Sequence, residues 1–408
     1  MAYVRSWQAS LLCVVFAAGC RSRARDPDPA RAVITIDVPA ASGAMAPYLR
    51  DDGDGVLASW VEPAAAGGHR VQVARWSRTA WTQPATVVES AELIASWADV
   101  PSVARAGDGA LVASWSEASG GRGEAYDALV GRSMDGGKTW TRLGALHADR
   151  TPAEHGFVSM VADGAALRAF WLDGRDLART GGATGLRTAL VGDAVSGEVL
   201  VDDRVCDCCA TAAVRTDAGP TVAFRDRSEA EIRDIAVARA GGGAWSSAPV
   251  GTDRWEISGC PVNGPAAAAR GRAVAVAWYT RARDVPRIHI AFSADAGASF
   301  GPAIAIDEPA GDRAPTGRVG VVLDDDGAAL VSWVAAERAD ASLLVRRATA
   351  DRRLGVELAI ARVAPGRQGV FPRIARNDRE LIAIWTEPAT SRLQAARVLL
   401  AAVPAVAR

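Results

Sequence analysis

Three of the six cysteines fall within four positions, in VCDCCATAAV (205–214), and another follows in ISGCPVNGP (257–265). Thiols at Cys206, Cys208, Cys209 and Cys260 support two chemistries. In an exported chain they pair as disulfides. The expected bridge joins Cys260 to one of the other three, because bonding Cys208 to its neighbour Cys209 brings their Cα atoms closer than a disulfide prefers. As thiolates, the four would hold zinc in a tetrahedron, and soft sulfur also suits copper(I). His155, in EHGF (154–157), is a further candidate ligand. The C-x-C-C spacing with one distant partner is not the paired C-x-x-C arrangement of many zinc sites, and both readings stand.

Next to the cysteines lies FRDRSEAEIRDIAVAR (224–239), in which Arg225, Asp226, Arg227, Glu231, Arg233 and Asp234 mix both signs. Such a set is either a self-satisfied ionic network or a site. As a site, Arg225, Arg227 and Arg233 would hold an anion, Asp226 and Asp234 would orient it or exchange protons, and Asn263 would add a hydrogen bond. Tyr279, directly after Trp278, is a further catalytic candidate. A single lysine, Lys138, against 45 arginines in an alanine-rich chain reads as base composition, so a lone arginine carries little weight. The formal net charge of -1 gives no reason to expect a nucleic-acid partner.

These residues must be positioned by a repeat. Apolar runs end in an aromatic residue at Trp60, Trp115, Trp171, Phe224, Trp278, Trp333 and Trp385, spaced 55, 56, 53, 54, 55 and 52 residues apart. In five of the seven units an acid stands two positions later: Glu62, Glu117, Asp173, Asp226 and Glu387. Each unit reads as short strands separated by Gly/Asp turns with no sustained helical period. Four strands per unit repeated radially predict an all-β propeller, with seven blades expected and six the alternative. The last unit, from FPRIAR (371–376), supplies only three strands, so AVITIDVPA (32–40) is expected to close the ring as its fourth. Inter-blade loops and second-to-third strand loops then open on one face. The cysteines, TGR (316–318), GVFPR (369–373) and the five acids are expected there.

The start of the chain, MAYVRSWQASLLCVVFAAGC, has an apolar run too short to span a bilayer, followed by small residues and Cys20. It resembles a bacterial lipoprotein signal. The resemblance implies a signal over 1–20, a lipid on Cys20 that holds the protein to the bacterial envelope membrane, a tether over 21–31, and a single domain over 32–408.

A second resemblance rests on two turns. SMDGGKTW (133–140) presents Ser133, Asp135, Gly137, Thr139 and Trp140, and SADAGASF (293–300) presents Ser293, Asp295, Gly297, Ser299 and Phe300. Both resemble the Asp-box, and with the repeat the chain resembles the sialidase superfamily, including bacterial lipoproteins labelled exo-α-sialidase. The resemblance implies a propeller with structural Asp-box turns, and either a glycan- or protein-binding face or a sialidase-like glycosidase. The Phe/Tyr-Arg-Ile-Pro motif of those enzymes is missing, and Tyr48, Tyr126 and Tyr279 are the only tyrosines beyond the signal. Binding is therefore the expected function and divergent hydrolysis the alternative.

Overall fold

The computed structural model describes Met1 and residues 32–406, apart from 121–124, 242, 309–311 and 366–369. Cys20 and the tether 21–31 lie outside the described residues, as does the expected signal beyond Met1. Seven antiparallel sheets form a seven-bladed propeller. Blade four shows the pattern, with Ala212–Thr216 innermost, then Gly219–Arg225, Ile235–Gly241 and Ala244–Pro249. Blade seven is built from Arg373–Asn377, Glu380–Glu387 and Arg392–Leu399, and the expected N-terminal strand completes it. Val33–Ile36 pairs antiparallel with that third strand, Val33 opposite Val398 and Ile36 opposite Ala395.

The repeat exists because each blade must bury both faces of its second strand against its neighbours. Trp60, Trp171 and Trp278 are wholly buried. A buried indole N–H needs an acceptor, and residues i and i+2 of a strand share a face. Glu62, Glu117 and Asp173 therefore turn back along their own strands, each taking the N–H of Trp60, Trp115 or Trp171 at 2.8 Å. The expectation that these acids ring the ligand face is corrected: all three are buried and are further held by Arg70, Arg142 and Arg175. In blade five, which lacks the acid, Asp253 from the preceding loop takes the Trp278 N–H at 2.6 Å.

The two Ser-x-Asp turns close the third-to-fourth strand connections of blades two and five. Ser133 donates to Asp135 and accepts from the Gly137 N–H, both at 2.8 Å, while Asp135 also accepts from the Thr139 amide and hydroxyl. Ser293, Asp295, Gly297 and Ser299 repeat the arrangement. Gly137 at φ +95° and Gly297 at φ +80° occupy backbone that a side chain disfavours. Trp140 donates its indole N–H to the Gly137 carbonyl, and Phe300 packs against the core shared by blades four and five.

Three local features were not expected. A helix, Arg175–Thr180, fills the second-to-third strand loop of blade three. The outer edge of blade one is shared by Ala80–Trp81 and Ala85–Ser90. Blade five's outer strand is only Ile304–Ala305.

Candidate functional site

The innermost strands surround an axial channel of about 620 Å³ walled by small side chains such as Ala266–Ala269 and Val319–Val322. At its mouth on the inter-blade loop face stand Cys208, Asn263, Arg318, Phe371 and Arg373. Arg318 is aimed there by a bulge in blade six's inner strand, Ala314–Leu323, where the register shifts around Gly317 and Arg318 has φ +61°. Gly317 is obligatory, since a Cβ would lie 2.1 Å from Asn263 Oδ1. The Arg318 guanidinium sits 3.6 Å from the Phe371 ring centroid and donates to the Val262 carbonyl and Asn263 Oδ1. Trp97 packs on Phe371 with centroids 5.1 Å apart.

Arg373 differs from the other arginines of this face. Its guanidinium lies in the wall where channel and mouth meet, reachable by water yet surrounded by protein. Its Nε is buried and has no hydrogen-bond partner, and among the described residues no carboxylate pairs with it. Burial presses its pKa below the ordinary arginine value, opposed only by Tyr48.

The cysteine corner takes the form of one bridge and one thiol pair. Cys208 is bonded to Cys260, joining the loops that enter blades four and five, as the disulfide reading expected. Cys206 and Cys209 are free and buried, with sulfurs 2.8 Å apart. The hydrogen bond with Cys209 pulls the Cys206 thiol down to about 7 against the cost of burial, aided by Arg225 and Arg233, whereas burial pushes Cys209 well up. A four-thiolate metal site does not match this pairing, because Cys208 and Cys260 are spent on each other. His155 is also not a ligand of this corner; it stacks on His147.

The charged segment of blade four is largely a self-satisfied network, and its expected anion-binding arginines are corrected accordingly. Arg225, 1% exposed, donates to the carbonyls of Asn263, Arg233 and Tyr279. Arg227 and Arg233 both grip Glu231, and Arg233 also reaches Cys206 Sγ at 3.5 Å. Asp226 caps the Arg227 amide, and Asp234 accepts from the amides of Arg254 and Trp255. Burial raises the pKa of both acids. Tyr279 packs edge-on against Trp255 within the core. Asn263, expected to add a hydrogen bond beside those arginines, lines the mouth, where its Oδ1 accepts from the Arg318 amide and guanidinium.

A second recess of about 520 Å³ opens between blades two and three, lined by Tyr126, Glu154, Gly156, Phe157 and Asp207. Beneath it Asp99 accepts from the Ser116 hydroxyl at 2.9 Å and the Phe157 amide at 2.8 Å. A Cβ on Gly156 would strike both Asp99 and the Tyr126 ring, so the two side chains meet there. Burial lifts the Asp99 carboxyl to about 6, more than its two hydrogen bonds lower it. Sequence reasoning missed Arg373, Phe371, Trp97 and Asp99. Arg318, Phe371 and Arg373 line the mouth on the inter-blade loop face, and the signal for them in the sequence is the position of their segments in those loops.

No protein-family model matches the sequence, and no curated protein matches it. Among solved structures, an ulvan lyase of polysaccharide lyase family PL25 aligns over 90% of this chain and 96% of its own with TM-score 0.57 and 10% identity. The polysaccharide lyase Uly1 aligns over 86% and 89% with TM-score 0.53 and 9% identity. The NanB sialidase of Streptococcus pneumoniae aligns over 90% and 70% with TM-score 0.47 and 10% identity. At such identities the likeness to the two lyases is one of fold.

Proposed function

We propose that the protein is a lipid-anchored propeller of the bacterial cell envelope that binds an anionic ligand, a carboxylate-bearing glycan, at the channel mouth. The observation that carries the reading is Arg373, a desolvated guanidinium with an unpartnered Nε and, among the described residues, no carboxylate of its own. A ligand carboxylate entering the mouth would supply the missing partner in the bidentate geometry that arginine favours. Phe371 and Trp97, with Arg318 stacked on Phe371, form the wall beside it. The anchor is the lipid expected on Cys20, with 21–31 as tether. Zinc or copper at the cysteine corner belongs to the proposal only as an ion held by Cys206 and Cys209.

The test is calorimetric titration of the chain lacking residues 1–20 with oligogalacturonate, sialyllactose and a neutral oligosaccharide of equal length. One of the acidic sugars should bind, the neutral one should not, and Arg373→Met should weaken binding at least about tenfold. Equal binding of acidic and neutral sugars, or an unchanged affinity in the variant, refutes the reading.

One observation favours the second reading, sialidase-like hydrolysis. Asp99, raised to about 6 beside Tyr126, has the pKa wanted of a general acid near neutral pH. Turnover of a fluorogenic sialoside, abolished by Asp99→Asn, would establish it.

A further inference from the structure

The sulfurs of the cysteine corner lead from the core to the surface. Cys206 and Cys209, each 1% exposed, sit with their sulfurs 2.8 Å apart. Cys206 Sγ is 3.8 Å from Cys208 Sγ, and the sulfurs of Cys206, Cys208 and Cys209 all lie within 4.8 Å of one another. Cys208 is half-buried at the channel mouth and is bonded to Cys260, which is exposed. A reduced pair in the core therefore touches, through Cys206, an oxidised pair that solvent can reach.

Thiol–disulfide exchange needs a thiolate, a disulfide sulfur within its reach and a leaving sulfur that can escape. The corner supplies each. Arg233 donates to Cys206 Sγ at 3.5 Å, and Glu231 holds the same guanidinium at 2.9 Å. The hydrogen bond with Cys209 and the charge of Arg225 help that donor bring the Cys206 thiol down to about 7, while burial pushes Cys209 well up and keeps it protonated. Cys206 and Cys209 stand in C-x-x-C spacing, one suited to attack and the other to resolve. On the far side, exposure of Cys260 lets water receive the thiolate that departs. A bridge that only tied two blades together would need no second thiol pair beside it.

We propose that the corner is a thiol–disulfide exchange site, in which the buried Cys206/Cys209 pair reduces the surface Cys208–Cys260 bridge and the surface pair reduces an external disulfide. In the first step the Cys206 thiolate attacks Cys208 Sγ. A Cys206–Cys208 bond forms, the Cys208–Cys260 bond breaks, and its electron pair leaves on Cys260, which takes a proton from water. In the second step Cys209 attacks Cys206 Sγ. The Cys206–Cys208 bond breaks, and its electron pair leaves on Cys208 with the proton that Cys209 gives up. Two electrons have then moved from the core pair to the surface pair with no outside reagent. The Cys260 thiolate next attacks the external disulfide, forming a mixed disulfide and releasing one partner thiol. Cys208 attacks Cys260 Sγ, restores the Cys208–Cys260 bond and releases the other. The chain ends with both pairs oxidised, and the partner ends as two thiols.

The experiment treats the folded chain lacking residues 1–20 with EDTA, to clear any thiol-bound ion, and then with iodoacetamide, and maps labels and bridges by mass spectrometry without reduction. Exchange places the labels on Cys260 and Cys208 and leaves a Cys206–Cys209 bond. In Cys209→Ser the second step is blocked, so the label should fall on Cys260 alone and a Cys206–Cys208 bond should remain. In Cys206→Ser labelling of Cys260 should be lost. Labels confined to Cys206 and Cys209, no label at all, or a Cys260 label that survives Cys206→Ser overturns the proposal. If Cys206→Ser fails to fold by circular dichroism, Cys209→Ser decides alone, by whether the label falls on Cys260 or on Cys206. Oxidised glutathione and insulin then serve as the small-molecule and the protein disulfide. Loss of both thiols of the folded chain to one of them marks the source of the partner, and loss to neither overturns the proposal.

Discussion

Arg225 of blade four holds the carbonyl of Asn263, on the loop entering blade five, with two hydrogen bonds of 3.0 and 2.8 Å. The same guanidinium reaches the carbonyls of Arg233 and Tyr279 and lies over the Trp255 ring, 5.0 Å from its centroid. It is thus a clamp between blades, and its removal leaves three carbonyls without that donor. Arg225→Met should cost about 3–5 kcal/mol of stability, read as a fall in the urea midpoint with little change in slope. A loss under about 1 kcal/mol, the scale of an exposed pair, would contradict the clamp.

Asp99 and Glu62 should bend the pH dependence of stability in opposite directions. The folded pKa of Asp99 is raised from 3.8 to about 6, so the folded state binds the extra proton and stability falls as pH rises from about 4 to 6. Asp99→Asn, which can still accept from the Phe157 amide and meet Ser116, should remove that slope and stabilise the protein at pH 7 by up to about 3 kcal/mol. Denaturation of both proteins at pH 4 and pH 7 measures it.

For Glu62, burial pushes the carboxyl up, but hydrogen bonds from Trp60, the Ala41 amide and Arg70 outweigh it and leave the pKa lowered. Its contribution is present above the ordinary carboxylate value and is lost as pH falls through the folded one. Glu62→Ala also strands the Trp60 N–H, and should cost roughly 2–3 kcal/mol at pH 7 and less in acid. Equal losses at the two pH values would show that its charge does not matter.

The cysteine corner predicts two reactive thiols after denaturation in the chain lacking residues 1–20, and four after reduction. Thiolate absorbance of the native protein should rise with a midpoint near 7, from Cys206, and the rise should vanish in Cys206→Ser. Breaking the Cys208–Cys260 bond, which closes a loop over a sequence separation of 52, should cost about 4 kcal/mol by the chain-entropy relation. Elemental analysis of the same sample checks for zinc or copper at the thiol pair.

The fold was legible because its cause is local and repeated. An aromatic residue every 52 to 56 residues, on a run that buries both faces, announces blades before any contact is known. The open strand at 32–40 likewise matched the missing fourth strand of blade seven. The site was less legible because it depends on what each polar group has already spent. Glu117 looked like a rim acid, but the Trp115 N–H claims it; Arg225 looked like an anion binder, but carbonyls saturate it. Arg373 carries the same formal charge and differs only in what fails to reach it. The stacking of His147 on His155 needs the blade seam, which no spacing within the repeat reveals.

The pairing of Val33–Ile36 with Arg392–Leu399 makes the order of synthesis matter. Blades one to six are each contiguous in sequence and can form as soon as their own residues are available. Blade seven cannot, since its outermost strand, Val33–Ile36, precedes blade one and its partner, Arg392–Leu399, follows blade six. Until then the leading strand must wait unpaired, and the edge it will cover stays open to another chain. Deleting Val33–Ile36 should therefore give an unlatched ring, its Arg392–Leu399 edge prone to pairing with a neighbour.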